Sequence, residues 1–187
     1  MKRLFLCLLV GLLLLSSCTL SPGLGKIETQ LYVNTAGYHI TLPTEWQLLT
    51  EDGPGVVFAP PDNDISLTII SELGGEAYYD LDEIADMLLE RLPSSSRPWQ
   101  ISRTITNSRD KLRLSITGED ESGSEVVLDL SILQPYPGIR YYLLFVAGHA
   151  AAARQSALIG DIVKSFGMDE DLPYLYGLME EWRTEEK

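Results

Sequence analysis

The segment Arg140-Tyr141-Tyr142-Leu143-Leu144-Phe145-Val146 is apolar at odd and even positions alike. Successive side chains of a strand point to opposite faces, so this strand offers apolar groups to both sides of any sheet it joins. It is stable only as a central strand with a covering layer on each face. The remaining segments can be sorted into those that extend the sheet and those that cover it.

Tyr38, Ile40 and Leu42 alternate with His39 and Thr41 until Pro43 ends the pattern, which puts three apolar side chains on one face of a half-buried strand. Trp46 is expected in the turn that follows, packed over the sheet edge. Gly53-Pro54-Gly55 leads into Val56-Val57-Phe58, and Pro60-Pro61-Asp62-Asn63-Asp64 leads into Ile65-Ser66-Leu67-Thr68-Ile69. This arrangement reads as an antiparallel meander. The period then changes. Asp80 stands three residues before Glu83, a capping-box-like start, and Leu81, Ile84, Ala85, Leu88 and Leu92 recur at helical spacing until Pro93.

Further strands are predicted over 100–108, at Leu112-Arg113-Leu114-Ser115-Ile116 and over 126–133. The last two are joined by the polar hairpin loop Glu119-Asp120-Glu121-Ser122-Gly123. Pro135-Tyr136-Pro137-Gly138 turns the chain into the central strand. Residues 150–166 return to helical spacing, with Leu158, Ile159, Ile162, Val163 and Phe166 on one stripe and Gly167 as the expected C-cap. Strands, helix, strands, helix, joined by short turns, predict an α+β domain: an antiparallel β-sheet packed between α-helices.

The opening Gly37-Tyr38-His39-Ile40-Thr41-Leu42-Pro43-Thr44-Glu45-Trp46 resembles the first strand, proline and tryptophan of the PsbP-like family. The resemblance continues through the helix from Leu81 to Leu92, the strand from Arg140 to Ala147 and the closing Ile159-Gly160-Asp161-Ile162-Val163-Lys164-Ser165-Phe166, and covers 37–168. It implies an α/β/α sandwich and roles in binding or assembly instead of catalysis. The family is named for an extrinsic photosystem II subunit, whose specific role does not carry over to these residues.

Ahead of the domain, Met1-Lys2-Arg3 and the apolar run from Leu4 to Leu15 have the n-region and h-region of a signal peptide. About 20 apolar residues are needed to cross a bilayer, and this run is shorter. Leu15-Ser16-Ser17-Cys18 resembles the lipobox of bacterial lipoproteins, in which the thiol is acylated and becomes the new N-terminus. The alternative is an ordinary secretory leader with Cys18 incidental. Two or more acyl chains matter, since each buried methylene adds about 0.8 kcal/mol and one chain alone binds marginally. The sequence therefore divides into a lipoprotein signal peptide, 1–17, a lipidated tether, 18–30, the domain, 31–168, and an acidic tail, 169–187. In that tail Leu175, Leu178, Met179 and Trp182 sit at helical spacing, as a helix laid on the domain or docked in a partner's groove.

Cys7 and Cys18 are the only cysteines, so removal of the leader leaves no thiol for a disulfide, a nucleophile or a metal once Cys18 is acylated. Removing Lys2 and Arg3 leaves 12 basic against 27 acidic residues, a balance that argues against nucleic acid and against lying flat on anionic lipid. His39 and His149 have no close-spaced ligand neighbours, which disfavours zinc, and no Gly-x-Ser-x-Gly elbow is present. Asp62, Asn63 and Asp64, or Glu119, Asp120 and Glu121, could offer oxygens to calcium, but neither segment has EF-hand spacing, and both read more simply as turns. Tyr78-Tyr79 and Tyr141-Tyr142 could line a cleft, although the second pair reads as core. The sequence thus predicts no catalytic residue, metal or cofactor, and no enzyme. It predicts a lipoprotein held on the extracytoplasmic face of a bacterial plasma or outer membrane by acylated Cys18. Its expected role is to bind or scaffold an envelope protein, with a small-ligand or ion-binding lipoprotein as the alternative.

Overall fold

A computed structural model describes residues 23–74, 80–92, 98–105, 110–120, 122–136 and 138–168. A short 3-10 turn, Leu24–Lys26, precedes five strands: β1 (Thr29–Asn34), β2 (Tyr38–Pro43), β3 (Gln47–Asp52), β4 (Gly55–Ala59) and β5 (Ile65–Leu73). Helix α1 (Leu81–Leu89) follows. Strands β6 (Gln100–Ile105), β7 (Lys111–Glu119), β8 (Glu125–Tyr136) and β9 (Ile139–Gly148) lead to helix α2 (His149–Ser165) and the two-residue β10 (Gly167–Met168).

The strands form a seven-stranded sheet ordered β3-β4-β5-β9-β8-β7-β6 and a three-stranded sheet ordered β1-β2-β10. All of these pairings are antiparallel. The doubly apolar segment is β9, the fourth of seven strands, as its pattern required. Its two faces go to different layers. Tyr141, Leu143, Phe145 and Ala147 join the cluster built with β2, β4, β5 and α2, while Tyr142 and Leu144 pack with the cluster under α1. The α+β class and its antiparallel sheet between helical layers are therefore observed.

The two layers lie on opposite faces of the sheet, α1 over β7 on one and β2 with α2 on the other. On β7 and β8, Leu112, Leu114, Ile116, Leu130 and Ile132 turn toward Leu81, Ile84 and Ala85 of α1. On β4 and β5, Val56, Phe58, Ile65, Leu67 and Ile69 turn the opposite way, toward Tyr38, Ile40 and Leu42 of β2 and Leu158, Ile159 and Ile162 of α2. Burying an aliphatic or aromatic side chain of this size contributes about 1.5–3 kcal/mol. Each half of the sheet is thus held by one apolar face and presents a more polar one.

Several local expectations change. The segment from Tyr38 to Pro43 does not continue the meander. It pairs with β1 and β10 and lays its apolar face across the large sheet. Trp46 is buried in that same cluster. Strand β3 was not legible because all six of its residues are exposed, and a solvated edge strand has no burial to imprint a pattern. A register shift between Leu48 and Thr50 blunts that edge. Helix α1 ends at Leu89, short of Pro93; its cap is Asp80, which accepts from the Asp82 amide at 3.1 Å, not a reciprocal box with Glu83. Leu24 and Ile27 pack against the core, so the folded body begins ahead of Leu31, inside the segment read as tether.

Gly167 is not a C-cap. Phe166 caps α2 in an extended conformation, and Gly167 already pairs with His39 as the first residue of β10. A Cβ at Gly167 would come within 2.5 Å of the His39 ring, so a larger residue there must displace that ring; the constraint is close approach, not a left-handed backbone. Gly123, by contrast, does have the positive φ of 83° that its hairpin position predicts.

Candidate binding groove and buried polar networks

The polar side of β7 and β8 borders the flank of α2. Alternation in β7 sends Leu112, Leu114 and Ile116 to α1 and leaves Arg113, Ser115 and Thr117 on the α2 side, opposite Asp129 and Val127 of β8. Small residues Ala152, Ala153 and Ser156 on α2 leave space there. The result is a groove of about 280 Å³ with Phe145 and Ile159 in its apolar wall and His149 among its lining residues.

Arg113 and Asp129 form a forked ion pair across the groove wall, with Nε to Oδ1 at 2.8 Å and Nη2 to Oδ2 at 2.5 Å. Asp129 is nearly buried, whereas the Arg113 side chain is 45% exposed. The hydrogen bond to Asp129 holds the guanidinium above its usual pKa despite the opposing effect of burial. The fork leaves Nη1 as a donor for a guest. Chemically the groove offers a neutralised ion pair, hydroxyls and an apolar wall, which suits a small neutral polar molecule.

A second network lies on the opposite face of the sheet. Glu72 and Arg140 are directly opposite in the β5–β9 register, and Tyr142 is two residues along the same face. Arg140 is buried and donates from Nε at 3.0 Å and Nη2 at 2.7 Å to Glu72, which also accepts from the Tyr142 hydroxyl at 2.6 Å. Burial pulls the Glu72 carboxyl upward, but the bonds from Tyr142 and Arg140 outweigh it, so its pKa is lowered. The Tyr142 phenol is raised, first by burial and then by its bond to Glu72.

The two acidic turns weighed for calcium meet at one end of the domain. Asn63, Asp64, Asp120 and Ser124 line a shallow depression together with His149 and Arg154. Arg154 donates to Asp64 at 2.8 Å, and Asp120 Oδ1 accepts from the Ser122 amide and hydroxyl and the Ser124 amide. Those bonds lower the Asp120 carboxyl's pKa and commit it to its own turn. Among the described residues no three His, Cys, Asp or Glu side chains gather as a metal site. His39 lies in β2 and His149 opens α2, on separate elements. Tyr141 is core, with its hydroxyl donating to the Ala36 carbonyl at 2.9 Å. Cys18, Glu121, Tyr78, Tyr79 and the tail 169–187 lie outside the described residues.

Sequence reasoning found neither Arg113–Asp129 nor Glu72–Arg140–Tyr142. Arg113 reads as an ordinary solvent-facing residue of an alternating strand, and Arg140 as the polar entry to an apolar run. The only available signal was a charge at an inward position beside β9.

No protein-family model matches the chain, and no curated protein matches it. Solved structures are similar in fold. A protein from Bacteroides thetaiotaomicron aligns over 78% of this chain and 50% of its own, at 14% identity and a TM-score of 0.51. This chain spans about half the length of that structure. Cyanobacterial PsbP from Synechocystis sp. PCC 6803 aligns over 82% of this chain and 98% of its own, at 17% identity and a TM-score of 0.49. LpqN of Mycobacterium tuberculosis, described as involved in cell envelope biogenesis, aligns over 76% and 91%, at 16% identity and a TM-score of 0.47. At these identities the likeness concerns the fold alone.

Proposed function

We propose that this chain is a lipid-anchored, extracytoplasmic, non-enzymatic domain that binds or scaffolds another envelope protein. The observation that carries the reading is Cys18 placed directly behind a charged start and a short apolar run. The position of the folded body supports it. Leu24, six residues after Cys18, packs against the core, so acyl chains on Cys18 would hold the body close to the bilayer. Among the described residues no helix is long and apolar enough to cross a membrane. Acylation is tested by mass spectrometry of the expressed chain and by fractionation: Cys18→Ala should move it from the membrane to the soluble fraction. An unmodified Cys18 thiol would refute the anchor. Mild crosslinking in whole cells tests the second half of the proposal, and it fails if no specific protein partner is captured.

The groove beside α2 favours a second reading, a small-ligand lipoprotein. A neutral polar ligand seated on Arg113 and Asp129 would raise the melting temperature of the wild type and not of Arg113→Met. A panel of such molecules that shifts neither protein eliminates this reading.

A further inference from the structure

A cleft of about 350 Å³ opens where two hairpin turns meet the end of β5. Asn34 and Ala36 come from the turn between β1 and β2, Glu51, Gly53 and Pro54 from the hairpin of β3 and β4, and Ser71 from β5. The cleft shares no residue with the groove beside α2. Asn34 ties its wall together. The Nδ2 of Asn34 donates to the Tyr32 hydroxyl at 2.9 Å and to Glu51 Oε1 at 3.3 Å, and its Oδ1 accepts from the Ala36 amide at 2.8 Å. The Tyr32 hydroxyl in turn donates to Glu51 Oε1 at 3.2 Å. Both bonds to the carboxylate fall on one oxygen, so Glu51 is oriented while Oε2 keeps its lone pairs for a guest.

A buried hydroxyl stands behind that wall. Tyr38 is fully buried, and among the described residues its hydroxyl has no hydrogen-bond partner. Its ring is fixed, stacked on Phe166 at 5.3 Å and edge-on to Tyr141 at 5.5 Å. Burial raises the phenol's pKa, and Tyr32, Glu51 and Tyr141 raise it further, so the oxygen lies among those three groups and stays protonated at neutral pH. Tyr141 donates to the carbonyl of Ala36, which is itself part of the cleft wall. An orphaned interior hydroxyl costs the fold stability that a guest's polar group can restore.

The lining selects a charge. Glu51 is the charged group among the described lining residues, and no Lys or Arg joins it. Anions are disfavoured beside it, and one carboxylate is too few for calcium, which takes six to eight oxygens. An ammonium has three donors and no acceptor, the complement of a carboxylate beside hydroxyls. The volume, at the lower end for ligand sites, admits a short alkyl chain. We propose that this cleft binds an alkylammonium group, with Glu51 Oε2 as its counter-ion and the Tyr38 hydroxyl as a second acceptor, reached when the Asn34 side chain swings aside. The group can belong to a free amine or to the tip of a lysine side chain.

The test is an NMR titration of the full chain carrying Cys18→Ala, followed at the Gly53 and Ser71 amides. Butylamine at neutral pH should shift both and saturate, whereas 1-butanol and tetramethylammonium, a cation without N–H donors, should not. Nα-acetyl-lysine methylamide tells the two sources apart: if it shifts the same amides, a lysine side chain enters the cleft, and if butylamine alone does so, the guest is a free amine. Glu51→Gln, on an exposed residue, should weaken butylamine roughly tenfold or more, and Tyr38→Phe about threefold. Tyr38→Phe should also melt no lower than the wild type, because it deletes a hydroxyl that bonds to no described residue. Absent or unsaturable shifts, an equal response to tetramethylammonium, unchanged affinity in either variant, or a lower melt for Tyr38→Phe would each overturn the proposal.

Discussion

Replacing Glu72 by Gln keeps the shape of the side chain and removes its charge, leaving the Arg140 cation buried across the β5–β9 pair. Removing one member of a fully buried ion pair costs roughly 3–5 kcal/mol. Here Arg140 is only 4% exposed but the Glu72 side chain is 42% exposed, so water screens the loss and the lower range of charged hydrogen bonds applies, about 2 kcal/mol. For a domain of this size that is a fall in melting temperature of roughly 4–8 °C, read by circular dichroism. The pH dependence separates charge from packing. The folded Glu72 pKa is depressed below its ordinary 4.5, so its stabilisation is present above that value and is lost as pH falls through the folded value. Wild type and Glu72→Gln should therefore differ at neutral pH and converge in acid. A gap that persists after the carboxyl is protonated, or a loss below about 0.5 kcal/mol at pH 7, would refute this account of the network.

Burial raises Tyr141 to about 12 and also raises Tyr38 and Tyr142 above the usual 10.0. A phenol raised on folding stabilises below its unfolded value and ceases to do so as pH rises through the folded one, so stability should decline from about pH 10 upward, followed by phenolate absorbance at increasing denaturant. Gly167→Ala should cost about 1–3 kcal/mol by driving its methyl into the His39 ring, and adding His39→Ala should recover much of that in a double-mutant cycle. Leu143→Ala, in the fully buried centre of β9, should cost about 2–5 kcal/mol in urea titration.

The elements followed the sequence wherever one face was buried and the other was not. In β5 and β7 each alternate side chain meets either a layer or a more open face, so the period of two is written directly into the residues. The two helices follow for the same reason at their own period. The central place of β9 was legible because both of its faces are covered. Strand β3 and the outward side of β1 left no such imprint, since an exposed position constrains its residue weakly. Gly167 looked like a helix cap because glycine is required both by left-handed backbone and by close approach, and only the neighbouring strand tells the two apart.

Sequence by itself determined the α+β class, the central strand and the helices, because each depends on burial within one element. Tertiary structure alone decided that the strands divide into two sheets, that α1 covers one face of the larger sheet while β2 and α2 cover the other, and that Arg113 meets Asp129 and Arg140 meets Glu72. Those facts depend on which strands become neighbours, and the spacing of residues along one strand carries no record of the strand beside it.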